Sequence, residues 1–198
     1  MNKKQETAPV RFSACSHCFL PFMNFEQICG LLQQKGFDAL EIIGEPARIN
    51  GDSLKKIIQD SGLSVSCITA SGRRGTNRDL SSPRHSIRSA TVEHFQRCVD
   101  LAAQLECHTI TVVPMEIGKF EPESSKHEEL DWIAKGLRDI QQHAHQCGVN
   151  VTLEILNRRS AHSLNTVAEV VSFFANPLLS FSESAREKVA GRMISNHI

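Results

Sequence analysis

The sequence carries no net charge. Over 198 residues, 22 lysines and arginines are matched by 22 aspartates and glutamates. That balance gives no electrostatic ground for a nucleic-acid or anionic-membrane partner. No apolar run reaches the roughly 18 residues of a membrane span, so no membrane association is expected. The first residues, Met1 to Thr7, have no hydrophobic stretch behind Lys3 and Lys4, so export is not expected and a cytoplasmic setting is. A disulfide framework is missing too. Cys15, Cys18, Cys29, Cys67, Cys98, Cys107 and Cys147 are odd in number and scattered, which reads as reduced, mostly buried thiols. Neither phosphate-cradling glycine signature, GxGxxG or GxxxxGK[ST], occurs. The chain also lacks length. It suffices for one domain but falls short of the roughly 250 residues of a complete (β/α)₈ barrel.

What the chain does have is a repeated alternation of short apolar runs and longer helical patterns. Residues 1–9 read as a flexible tail. Five runs follow: Val10–Cys15, Phe37–Ile43, Leu63–Thr69, Thr109–Pro114 and Val149–Leu156. Each leads into a helix. Asn24 with Gln27 caps the first, Asp52 opens the second, and Gly36, Gly62 and Gly148 close helices as C′ glycines do. The third buries Phe95, Cys98 and Leu101. The fourth buries Ile133, Leu137, Ile140 and Ala144. The fifth starts at the capping pair Thr166 and Glu169 and buries Val167, Val170, Val171 and Phe174. Strands alternating with helices of this length mean parallel βαβ units with right-handed crossovers. The expected class is therefore α/β: parallel (β/α) repeats over 10–175, about five units, followed by a C-terminal helical tail over 176–198.

In such folds chemistry gathers at the C-terminal ends of the strands. Strand parity there is informative. Val151, Leu153 and Ile155 share one face, suited to the helix layer, and Thr152, Glu154 and Leu156 share the other. Glu154 then points inward near a strand end, where a buried carboxylate needs a metal or a cation beside it. Glu41 repeats the pattern between Leu40 and Ile42. Two inward carboxylates could bind metal or move protons, or each could pair with a buried Arg or Lys. His17 follows the first strand, where substrate often sits. Cys15-Ser16-His17-Cys18 looks like half a zinc site without a second half. Gly72-Arg73-Arg74-Gly75 could hold a phosphate through its arginines. His143 and Cys147 share a helix face at i,i+4 outside the sheet, where a solvated or packed surface is the ordinary reading.

At these residues the chain resembles the sugar phosphate isomerase/epimerase family, the xylose isomerase-like TIM barrels, over about residues 10–174. Phe37-Asp38-Ala39-Leu40-Glu41-Ile42 is similar to the family's second-strand signature. Asn77 to Pro83, with the helix over Val92 to Leu105, looks like its third loop and helix. Leu153-Glu154-Ile155-Leu156-Asn157-Arg158, continuing to Leu164-Asn165-Thr166, resembles the fifth-strand segment of the ketose 3-epimerase branch. The resemblance implies a partial TIM barrel acting on a small-molecule sugar with a divalent metal, Mn²⁺, Mg²⁺ or Co²⁺. Glu154 matches a glutamate that is both metal ligand and catalytic acid/base. His17, Glu41, Asn157 and Arg158 fall where substrate would bind. In the implied mechanism the metal holds two substrate oxygens. One glutamate takes a proton beside the carbonyl to give an enediolate, and a second returns it.

The sequence also departs from the pattern. Asn157-Arg158-Arg159-Ser160 stands where the family commonly has Asn-Arg-aromatic-Glu. Glu106 replaces a conventional glycine. The remaining ligands, from strands six to eight, have no counterpart after Phe174. Glu183 and His197 are the tail residues that could stand in. The expectation is a truncated member whose five strands cannot close a barrel. Its inner face, with Phe37, Ala39, Ile43, Val113 and Leu156, would be exposed unless the tail (Leu178, Leu179, Phe181, Val189, Met193) or a second copy in a homo-oligomer covers it. The alternative is an inactive fragment serving binding or assembly. The family's DNA-cleaving endonuclease branch would need several strand-end histidines and a basic groove, and only His17 fits.

Overall fold

The computed structural model describes residues 10–73 and 75–176. The expected tails, the helical one over 176–198 with Glu183 and His197 included, lie outside the described residues apart from Asn176, as does Arg74.

Five parallel strands form one sheet in sequence order: β1 (Ser13–Cys15), β2 (Ala39–Ile43), β3 (Ser64–Ala70), β4 (Thr109–Val112) and β5 (Asn150–Leu153). Helices α1 (Phe25–Gln34), α2 (Gly51–Ser61), α3 (His85–Gln104), α4 (Lys126–Gln146) and α5 (Val167–Ala175) follow them in turn. This is the arc of a partial TIM barrel, with β1 and β5 as its edges among the described residues.

The helix side of the sheet holds the core. Leu40, Ile42, Ile68, Ile110 and Val112 are fully buried against Ile28, Leu32, Phe95, Ile133 and Ile140. Caps set the helix starts. Asn24 and Gln27 form a reciprocal capping box on α1, and Ser125 with Glu128 forms another on α4. Asn50, two residues before the expected Asp52, caps α2. Gly44 ends β2 under α3, where a Cβ would come within 2.6 Å of Cys98 Sγ. Glu106 holds the left-handed φ of 58° that a glycine would take more easily, and its carboxylate reaches Lys55 at 2.9 Å.

Several expectations need correction. The strands are shorter than the apolar runs. β1 omits Val10 and Phe12, which are exposed, although the Phe12 carbonyl still accepts from Asp38 N and Ala39 N at the start of β2. β5 stops at Leu153, so Ile155 turns outward to solvent instead of joining the helix layer. Val167 opens α5 on its exposed side (57% accessible), and Phe173 is the residue that α5 buries. Thr166 caps α5, but Glu169 Oε2 accepts from Asn165 N rather than closing a box on Thr166. All seven cysteines are free, yet Cys18 is exposed and Cys15, Cys67 and Cys147 are half-buried. On the inner face, Ala39 and Val113 are buried and Phe37, Ile43 and Leu156 half-buried.

Candidate functional site

The inner face of the sheet is built by parity and one irregularity. Register pairs Cys15 with Glu41, Glu41 with Cys67, and Thr69 with Thr111, with Thr111 next pairing Thr152. Between Leu40 and Glu41 the register slips, leaving Ser66 as an extra residue on β3. Ser66 and Cys67 therefore both turn inward. Ser66 Oγ lies 2.7 Å from Ser13 Oγ, and Cys67 Sγ lies 3.1 Å from Thr111 Oγ1. Thr111 Oγ1 meets Thr152 Oγ1 at 2.9 Å. A strip of hydroxyls and thiols thus crosses the sheet.

Two carboxylates stand on this strip. Thr69 donates to Glu41 Oε1 at 2.6 Å. Glu154 sits one residue past β5, its N–H continuing the ladder to Val112 O at 3.0 Å. Its side chain is half-buried and has no hydrogen bond or ion pair among the described residues. Burial first, and the Glu41 charge second, raise its pKa above the usual carboxylate range. Burial chiefly raises the thiol of Cys67 as well, with Thr111 opposing and both glutamates adding to the rise. The donor set fits a hard divalent cation. An unpartnered carboxylate stands near enough to a second one to feel its charge, and a cation bound there would relieve the repulsion.

His17 lies on the 3₁₀ turn Ser16–Cys18 directly after β1. Arg73 Nη2 comes within 2.6 Å of its Nε2. The two line a cavity of about 440 Å³ at the ends of β1 to β3, shared with Ile43, Ser71 and Arg78. A volume of this size accommodates a small ligand. Arg78 grips Glu45 with two bonds of 2.7 and 2.9 Å, which holds that carboxylate below its usual range. Asn157 is occupied locally, its Oδ1 accepting from Arg159 N at 2.9 Å. Arg158 is 78% exposed and reaches Glu169 at 3.5 Å. The structure thus groups Glu41 with Glu154, sets His17 beside Arg73, and leaves Asn157 and Arg158 on the loop after β5.

Behind Glu45, buried His94 approaches Cys98, Nε2 to Sγ 3.7 Å. Burial, then the Arg78 charge, lowers its pKa to about 4, while burial drives the Cys98 thiol up to about 12. An unfolded histidine near 6.5 takes a proton that the folded one refuses. Stability is therefore expected to be intact above pH 6.5 and to fall on acidification toward pH 4 by an amount on the order of 3 kcal/mol. Urea unfolding at pH 7 and pH 4 measures this. His94→Gln should remove most of that pH difference.

A second polar cluster was not foreseen from the sequence. Lys119 Nζ binds Asp79 Oδ2 at 3.0 Å, Ser81 Oγ at 2.8 Å, Glu123 at 3.1 Å and Glu129 at 3.5 Å. His162 Nε2 meets the other Glu129 oxygen at 2.6 Å. Backbone bridges run alongside, Arg73 to Ile117 and Lys119 to Ala161, so the loops after β3, β4 and β5 are joined above the sheet. One signal was present in the sequence. Glu129 stands four residues before Ile133, in line with the buried stripe of α4, which marks it as a buried acid.

Comparison with known proteins follows the same lines. A family model described as the xylose isomerase-like TIM barrel matches residues 29–180. The D-psicose 3-epimerase of Agrobacterium fabrum is 28% identical over 144 residues, 70% of this chain and 49% of that protein. The 3-dehydro-D-guloside 4-epimerase of Escherichia coli is 30% identical over 145 residues, 70% of this chain and 53% of that one. The chain thus spans about half the length of the curated relatives it matches. A solved L-ribulose 3-epimerase superposes with a TM-score of 0.72 at 24% identity, covering 83% of this chain and 56% of that one.

Proposed function

Because the chain belongs to the xylose isomerase-like TIM barrel family, we propose that its inner face binds a small sugar and serves isomerisation or epimerisation, with Glu154 moving the proton. The observation that carries this is the state of Glu154. It is a half-buried carboxylate without a partner among the described residues, its proton affinity raised by burial and by Glu41.

A proton beside a carbonyl is weakly acidic, so the base must hold it well once taken. Raised proton affinity gives Glu154 that property. Glu41, fixed by Thr69, is the second contributor to that rise, after burial. The hydroxyls of Thr111 and Thr152 offer hydrogen-bonding partners for sugar hydroxyls along the strip. Glu154, with Glu41 near it, would hold a divalent cation, which when bound supplies Lewis-acid stabilisation of a developing oxyanion. The 440 Å³ cavity beside His17 and Arg73 suits the remainder of the substrate.

The test is proton exchange, because it needs only the first half of the reaction. The protein is incubated with Mn²⁺ and D-psicose or D-fructose in deuterium oxide, and NMR follows loss of the carbon-bound proton next to the carbonyl. Exchange is expected, with Glu154→Gln slower by about 10²–10⁴-fold. Folded protein that exchanges no proton at saturating Mn²⁺ overturns the reading.

A further inference from the structure

On the outside of the fold, remote from the strand ends that carry the inner-face carboxylates, three donor side chains of different chemistry converge. His143 and Cys147 stand one turn apart at the C-terminus of α4, and Asp100 reaches them from α3. His143 Nε2 lies 2.7 Å from Asp100 Oδ1 and 3.9 Å from Cys147 Sγ. Cys147 Sγ lies 4.0 Å from Asp100 Oδ1. Bond lengths to zinc of about 2.0–2.3 Å put the donors of a tetrahedral site roughly 3.4–3.7 Å apart. Two of the three separations already match to within a few tenths of an ångström. The third needs only that the Asp100–His143 bond open.

We propose that Asp100, His143 and Cys147 form a binding site for a thiophilic divalent cation of the Zn²⁺ type, three protein ligands and one solvent position. The donor set decides the metal class. One thiolate, one imidazole and one carboxylate suit Zn²⁺, whereas Mg²⁺ and Mn²⁺ prefer oxygen alone. Placement helps as well. Cys147 is the C-cap residue of α4, where unpaired carbonyls leave partial negative charge that favours a cation. His143 and Cys147 are half-buried and Asp100 exposed, so an ion can enter from solvent without disturbing the core. The same nitrogen, Nε2, faces both other donors, which fixes it as the ligand atom and moves the imidazole proton to Nδ1. The ion takes Cys147 as its thiolate and His143 as neutral imidazole, the displaced protons passing to buffer. A bound ion would clip the last turns of α3 and α4 together, and this holds whether or not Glu154 is catalytic.

Co²⁺, which reports thiolate ligation by a near-ultraviolet charge-transfer band, is the first probe on the full metal-free chain. Zn²⁺ is then added to displace it. One equivalent is expected to saturate the band, with Zn²⁺ removing it. Cys147→Ser should abolish the band and Glu154→Gln should leave it. Asp100→Asn and His143→Gln should each weaken Zn²⁺ binding at least tenfold in a chelator competition. No band with excess Co²⁺, a band that survives Cys147→Ser or is lost in Glu154→Gln, or Zn²⁺ affinity unmoved by both Asp100→Asn and His143→Gln would overturn the proposal. Asp100 is exposed while His143 and Cys147 are half-buried, so a thermal melt of each metal-free variant separates lost binding from lost folding.

Discussion

Lys119→Met is expected to cost about 3 kcal/mol of stability, because removing one member of a buried charge cluster strands the others. The Lys119 and Asp79 side chains are each 7% exposed, and that of Glu129 3%. Burial alone would lower the lysine pKa. Asp79, Glu123 and Glu129 outweigh it and raise it. Without the ammonium, two carboxylates remain enclosed and repel. They keep some help, since Ser81 N and Oγ donate to Asp79 and His162 pairs with Glu129. That help places the loss at the lower end of the 3–5 kcal/mol seen when buried pairs are broken. For a chain of this size it corresponds to roughly 6–12 °C in Tm, readable by calorimetry. Lys135→Met, which removes an exposed i,i+4 partner of Asp131, is the control and should move stability by less than about 1 kcal/mol. Equal effects in the two variants would show that the cluster is not an energetic unit.

Glu154→Gln should act in opposite directions on stability and on chemistry. A carboxylate whose folded pKa is raised binds more protons in the native state than in the unfolded one. Its contribution is therefore harmless at low pH and turns unfavourable as pH rises through the unfolded value and then the folded one. The wild-type chain carries that penalty at neutral pH, and glutamine does not. Tm of the variant is expected to exceed the parent's at pH 7, with the difference closing toward pH 4. Proton exchange on the sugar should meanwhile fall by about 10²–10⁴-fold. A variant less stable than the parent at pH 7 would mean that Glu154 is a structural partner and not a strained functional group. The combination is the usual mark of a site residue kept at some expense to the fold.

Most of the architecture was legible because periodicity reports it directly. Alternation of period 2 and 3.6 marked all five βα units, and parity at Leu40, Glu41 and Ile42 placed the carboxylate opposite the core-facing residues. Caps with local chemistry, such as Asn24 and Gln27, were equally readable. Strand ends were not. An apolar run such as Val149–Leu156 says which residues avoid water, but pairing stops where the neighbouring strand stops, here at Leu153. The bulge that turns both Ser66 and Cys67 inward left no local trace, since it is a property of two strands in register. Contacts across elements were the least visible. Asp100 and His143 are separated by 43 residues, and Lys119 meets Asp79 across 40. Only the packing of α3 on α4, and of one loop on the next, brings such pairs together.

The strand order β1-β2-β3-β4-β5 has a consequence for how the chain reaches this state. Every strand pairs only with its immediate predecessor and successor, so each seam closes a loop no longer than one helix and its two connections. Closure entropy grows only with the logarithm of loop length, so no seam is much slower to form than another. Among the described residues, every strand seam joins strands that are neighbours in sequence. A nucleus at any adjacent pair, β2 with β3 for example, can grow outward one unit at a time in either direction. Each added helix then finds its place on a surface already laid down by its neighbour. In that respect the five described strands assemble as a linear array does, each unit docking on the one beside it.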